Sequence, residues 1–120
     1  MGFLRRILGK HRRHDRLDIR LSVRVETEVG NGKEFWTEDI SASGLRMDIS
    51  PLSSVGDLTG GLREVWLSIT LNQDDEPVQV SAEPIWTTGG ERDGHSSGWM
   101  FCKYRGDARD RLAALVGAGG

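Results

Sequence analysis

From Ile19 onward the chain alternates with a period of two. Ile19, Leu21, Val23, Val25, Thr27 and Val29 fall on one face, with Arg20, Ser22, Arg24, Glu26 and Glu28 on the other. This pattern predicts a half-buried strand. Residues 30–33 contain Asn31-Gly32, a strong hairpin signal, and "EFWTEDI" (34–40) returns as a second strand. "SASG" (41–44) reads as a turn, and 45–49 as a third strand with Leu45, Met47 and Ile49 inward. Residues 51–61 read as a loop. "VWLSITL" (65–71) places Val65, Leu67, Ile69 and Leu71 on one face, and "NQDDE" turns the chain. The next strand, 77–88, alternates through Val78, Val80 and Ala82 until Pro84, whose missing N–H implies a bulge or an edge. Residues 89–98 read as a loop and 99–104 as the last strand. Asp107 is the expected N-cap of a short helix with Leu112, Leu115 and Val116 as its apolar stripe. The tail, 117–120, is expected to fray. Six strands joined by turns and followed by one helix predict an all-β domain, a small antiparallel barrel.

Composition narrows this only a little. Sixteen glycines are too many for a helical bundle and suit a turn-rich β chain. A single cysteine, Cys102, forbids an internal disulfide and favours a reducing compartment. No apolar run reaches the roughly 18 residues of a membrane span, and "MGFLRRILGK" lacks the features of a secretory signal. The chain therefore reads as cytoplasmic, without a transmembrane segment.

Charge adds more. Residues 1–25 hold eight Arg or Lys against two acids, a net +6, which leaves −8 for the rest of a chain whose total is −2. Such asymmetry points to an anionic partner for the N-terminal part, or to a merely solvated basic tail. Within it, residues 1–10 form a basic amphipathic segment, with Phe3, Leu4, Ile7 and Leu8 at helical spacing.

Catalytic chemistry is not visible. There is no CxxC or HExxH to hold a metal. Ser43 lacks the preceding glycine of a nucleophile elbow, because residue 41 is serine. The chain reads as a non-enzyme without cofactor.

One constellation does carry chemistry. If the first two strands pair, the basic stretch before the first and the turn after the second lie at one end of the sheet. Arg12, Arg16, Asp39 and Ser41 converge there, with Gly44 closing the turn. Guanidinium forks match phosphate oxygens and the O6/N7 edge of guanine. A carboxylate only accepts, which suits the N1–H and N2–H donors of guanine. Serine and turn amides can complete a phosphate shell. The set describes a guanine nucleotide better than a plain anion, which Asp39 would repel.

In these residues the chain resembles the PilZ domain family. The family signature is Arg-x-x-x-Arg followed, one hairpin later, by Asp-x-Ser-x-x-Gly. Here these are "RRHDR" (Arg12 to Arg16) and "DISASG" (Asp39 to Gly44), and the order of later elements agrees over residues 11–116. The resemblance implies a six-stranded antiparallel β-barrel with a C-terminal helix, and a receptor for the bacterial second messenger cyclic di-GMP. It implies that Arg12 and Arg16 grip guanine and phosphate, while Asp39 and Ser41 read a guanine and its neighbouring phosphate. His14 and Asp15 stand where relatives often carry Pro or an apolar residue, and Asp15 could pair with a ligand arginine.

Alternatives stay open residue by residue. Arg12 could be a solvated tail residue, and Arg16 could simply pair with Asp18 or Asp39. Arg13 could point to solvent or touch a phosphate. Ser41 and Gly44 could serve the turn alone, and Trp86 could pack in the core or stack on a base. With no output domain, the receptor would signal through an unidentified downstream protein, its N-terminal arginine segment changing conformation on binding. The alternative is a PilZ-type adaptor that does not bind cyclic di-GMP. A barrel for single-stranded nucleic acid would want aromatics among the basic residues, and the basic stretch 11–20 has none.

Overall fold

The structure, a computed structural model, describes residues 16–26, 33–49, 55–90 and 94–119. Its elements are β1 (Arg16–Leu17), β2 (Ser22–Glu26), β3 (Glu34–Ser41), β4 (Gly44–Asp48), α1 (Val55–Thr59), β5 (Val65–Thr70), β6 (Val78–Gly90), β7 (Gly94–Tyr104) and α2 (Ala108–Gly119). Neighbouring strands run β3-β2-β5-β6-β7-β4, and β4 pairs back onto β3. Every pairing is antiparallel, so β2 to β7 close a six-stranded barrel. The predicted basic segment 1–10, Arg12, Arg13 and Asn31-Gly32 lie outside the described residues.

The alternation in the sequence becomes the inner face of the barrel. Val23, Val25, Leu45, Met47, Leu67, Ile69 and Val80 are fully or almost fully buried, and Trp99 fills the interior among them. Burying an aliphatic side chain of this size stabilises by about 1.5–3 kcal/mol, so this face is the main source of fold stability. Helix α2 packs against β1, β3 and β6, burying Ala108, Leu112 and Val116. It starts directly after Asp107 and runs to Gly119, so residues 117–119 continue the helix where fraying was expected.

Three boundaries differ from the pattern-based expectation, each for a local reason. The first strand does not run unbroken from Ile19. Instead β1 and β2 occupy successive stretches of one edge of β3. Between them, Thr37 Oγ1 accepts from Leu21 N (2.8 Å) and donates to Ile19 O (2.6 Å), so a side chain replaces ladder bonds. The expected loop 51–61 contains α1, whose Leu58 is fully buried. Gly60 ends it with φ +67° and an N–H bond to Gly56 O of 2.9 Å, as a left-handed C-terminal glycine does. The expected loop 89–98 belongs largely to the β6–β7 hairpin, in which β7 starts at Gly94. Ser97 points inward there. Its hydroxyl donates to Met47 O (3.2 Å) and accepts from Trp99 Nε1 (2.8 Å), so a polar side chain holds a core position.

Pro84 behaves as its chemistry requires. The β6–β7 register slips between Pro84 and Trp86, so Ile85 is the extra residue of a bulge.

Candidate functional site

The site grows from the turn between β3 and β4. Ile40 pairs with Leu45, leaving Ser41, Ala42, Ser43 and Gly44 to reverse the chain. Ser41 Oγ accepts from Ser43 N (3.2 Å) and Gly44 N (3.1 Å), and so fixes the turn from inside. Two further donors grip it from outside: Phe101 N reaches Ser43 O (2.8 Å) and the Tyr104 hydroxyl reaches Ala42 O (2.7 Å). Gly44 is needed for contact rather than for backbone freedom. A Cβ there would overlap the carbonyl oxygen of Trp99 on β7.

Tyr104 gives this turn a pH dependence. Burial raises the phenol above its ordinary value, with the Arg109 charge acting in the opposite sense. The folded state therefore holds Tyr104 neutral. Its contribution to stability is complete below about pH 10 and is lost as pH rises beyond that. Tyr104→Phe keeps the ring and loses the hydroxyl donor, at an expected cost of about 0.5–1.5 kcal/mol in urea unfolding at neutral pH. The parent chain should lose stability more steeply than this variant above pH 10; parallel alkaline limbs would remove Tyr104 as the titrating group.

Beside the turn the charged residues meet. Arg16 pairs with Ser41 in register, and its side chain reaches back along β3 to Asp39: Nε and Nη2 lie 3.1 and 2.7 Å from Oδ1. Arg46, opposite Asp39 on β4, brings Nη2 to 2.9 Å from Oδ2. Asp39 is thus nearly buried between two half-exposed guanidiniums. A bulge at Glu38 produces this. Thr37 pairs with Met47 and Asp39 with Arg46, so two carboxylates face one arginine. Arg46 Nε sits 3.4 Å from Glu38 Oε1, without hydrogen-bond geometry.

The opposite wall is apolar. Arg16, Asp39, Ser43, Gly44 and Arg46 share a cleft of about 330 Å³ with Ile85, Trp86 and Met100. All three of these apolar side chains are exposed. The cleft joins acceptor and guanidinium groups on one side to an aromatic surface on the other, a lining suited to a planar polar ligand.

The sequence-derived candidates are distributed as follows. Arg16, Asp39, Gly44 and Trp86 line one cleft, and of the two partners considered for Arg16, Asp39 is the one it pairs with. Ser41 stands behind the wall, holding the turn, while Ser43 faces the cleft. Trp86 is outside the core at 40% exposure. Arg12 and Arg13 fall in the undescribed stretch that leads into β1. Arg46 was not among the candidates. Its signal was the inward parity of Leu45 and Met47, which turns residue 46 outward beside Asp39. Among the described residues no three His, Cys, Asp or Glu side chains are placed to hold a metal ion, and no helix is long and apolar enough to cross a membrane.

A closed six-stranded barrel with a C-terminal helix and a charged cleft beside one hairpin turn defines the class of domain, a small antiparallel β-barrel. The chain belongs to the PilZ domain family, whose model matches residues 10–118. Among solved structures it is similar to the Bacillus subtilis inhibitor of motility (MotI/DgrA), with a TM-score of 0.69 and 15% identity over 92% of this chain. The match covers 51% of that protein, so the present chain spans about half its length. No curated protein sequence gives a match.

Proposed function

We propose that the chain is a cyclic di-GMP receptor that takes the nucleotide in the cleft beside the 41–44 turn and signals by protein contact. The observation that carries this reading is the meeting of Arg16, Asp39 and Arg46 with Trp86 in one cleft. Asp39 offers acceptors to guanine N1–H and N2–H, the guanidiniums offer forks to phosphate or to the Hoogsteen edge, and Trp86 offers a face for stacking. Ser41 serves by presenting the turn amides.

The charge count supports a role for the segment before β1. Arg16 and Arg46 are balanced by Asp39 and Glu38, so this cluster alone has no net attraction for a dianion. Arg12 and Arg13, immediately upstream, add positive charge that Asp15 offsets only in part. Closing them over the ligand brings like charges together only when phosphates neutralise them. We therefore read residues 3–18 as the part that changes conformation and presents or hides a surface for a downstream protein. A cytoplasmic location follows from the ligand.

A second reading, an adaptor that acts without nucleotide, has one observation in its favour. Asp39 is satisfied by the chain's own arginines, so its ion pairs are complete without a nucleotide.

Isothermal titration separates the two. Cyclic di-GMP is expected to bind with micromolar affinity or better, about −8 kcal/mol, and GMP far more weakly. Amide exchange across residues 3–18 should slow on binding. No heat at all favours the adaptor, and equal affinity for GMP removes the two-guanine reading.

A further inference from the structure

Asp39, Arg46, Gly98 and Trp86 are successive cross-strand partners on β3, β4, β7 and β6. One member of this row has no side chain. Gly98 lies within β7, paired on both sides, and carries no positive φ, so its backbone suits any residue. What excludes a side chain is the indole of Trp86. A Cβ on Gly98 would overlap Cε2 and Nε1 and stand 2.7 Å from Cζ2. The ring therefore lies against the bare backbone of Gly98, in the space where any other residue would begin its side chain. The bulge at Ile85 is what sets Trp86, rather than its neighbour, opposite Gly98.

Resting on the receptor reading above, we infer that Gly98 is a positioning residue. It lowers the Trp86 ring onto the sheet as the floor on which a planar base stacks, where the half-exposed ring lines the cleft. Arg46 and Asp39 stand two and three strands from Trp86 along the same row, so the floor and the edge-reading groups are set by one strand register. A methyl group at 98 must lift or tilt the ring. It moves the stacking surface without touching a charge.

The test is a double-mutant cycle with cyclic di-GMP titrated into the parent, Gly98→Ala, Trp86→Ala and the double variant. Removing a stacked aromatic costs about tenfold in affinity. Trp86→Ala and Gly98→Ala should each show a loss near that size, and the double variant no more than Trp86→Ala alone. Thermal unfolding without nucleotide should show the same coupling, because deleting the ring removes the overlap. Unchanged binding by Gly98→Ala overturns the inference and leaves the receptor reading intact. So does a loss that persists in the Trp86→Ala background, or a double variant that fails to fold, since Gly98 then acts through the β4–β7 pairing. If Gly98→Ala alone fails to fold, the comparison of Trp86→Ala with the double variant still decides. A parent chain that binds no cyclic di-GMP overturns the receptor reading, and the base floor with it.

Discussion

The Asp39→Asn protein is expected to bind cyclic di-GMP about ten- to a hundredfold more weakly than the parent chain. Asparagine keeps one acceptor but replaces the other with an NH₂ donor. That donor would face Arg16 or Arg46 on one side and the guanine N–H groups on the other, and every one of these is a donor. The loss should be mostly a binding loss. Asp39 is nearly buried, but Arg16 and Arg46 are half exposed, and their guanidiniums rehydrate when the carboxylate goes. Pairs of this kind contribute about 1 kcal/mol or less. The urea midpoint should therefore move little while the titration changes greatly. Arg16→Lys makes the complementary point, because it preserves charge and loses the planar fork. It too should weaken binding. Tighter binding by Asp39→Asn would mean plain anion attraction and would take Asp39 out of the recognition set.

How much of this was legible beforehand depends on what each feature rests on. Strand faces follow from alternation, and Leu21, Val23 and Val25 sit where their period puts them. The bulge at Pro84 follows from a missing N–H, which is a property of the residue alone. Convergence of Arg16 with Asp39 needed only that the first two strands pair. What stayed hidden depends on register. Arg46 faces Asp39 only because Glu38 bulges, and nothing in "WTED" marks that irregularity. The start of β7 was invisible because Ser96, Ser97 and Gly98 carry no apolar alternation; their strand is held by ladders on both sides and by the Ser97 hydroxyl. Leu58 reaches the core from a five-residue helix too short to show a period. Gly98 looked like loop punctuation, and its meaning comes from a tryptophan twelve positions earlier that only the β6–β7 register brings to it.

Gly44→Ala should produce the largest loss of stability among single-methyl changes at the site, about 1–3 kcal/mol or more. The reason is what the methyl meets. At Gly44 an added Cβ would overlap the Trp99 carbonyl oxygen, with Trp99 C at 3.4 Å and Met100 Cα at 3.5 Å. These are backbone atoms of β7, not the yielding tip of a side chain. Relief requires β4 and β7 to separate at the Gly44–Met100 pair, one of the seams that close the barrel. Separation there also pulls on the turn, because Phe101 N holds Ser43 O and Gly44 N is held by Ser41 Oγ. Gly61→Ala is the control: its φ of +86° strains an alanine, yet no atom lies within 4 Å of the new methyl. That variant should cost only about 1 kcal/mol, through backbone conformation alone. Chemical denaturation of the two variants against the parent measures the difference, and cyclic di-GMP titration should show affinity falling with Gly44→Ala but not with Gly61→Ala. A Gly44→Ala midpoint equal to the parent's would mean that β4 and β7 can part at this pair without cost, and that the turn owes its shape to Ser41 and Tyr104 rather than to the close approach of the two strands.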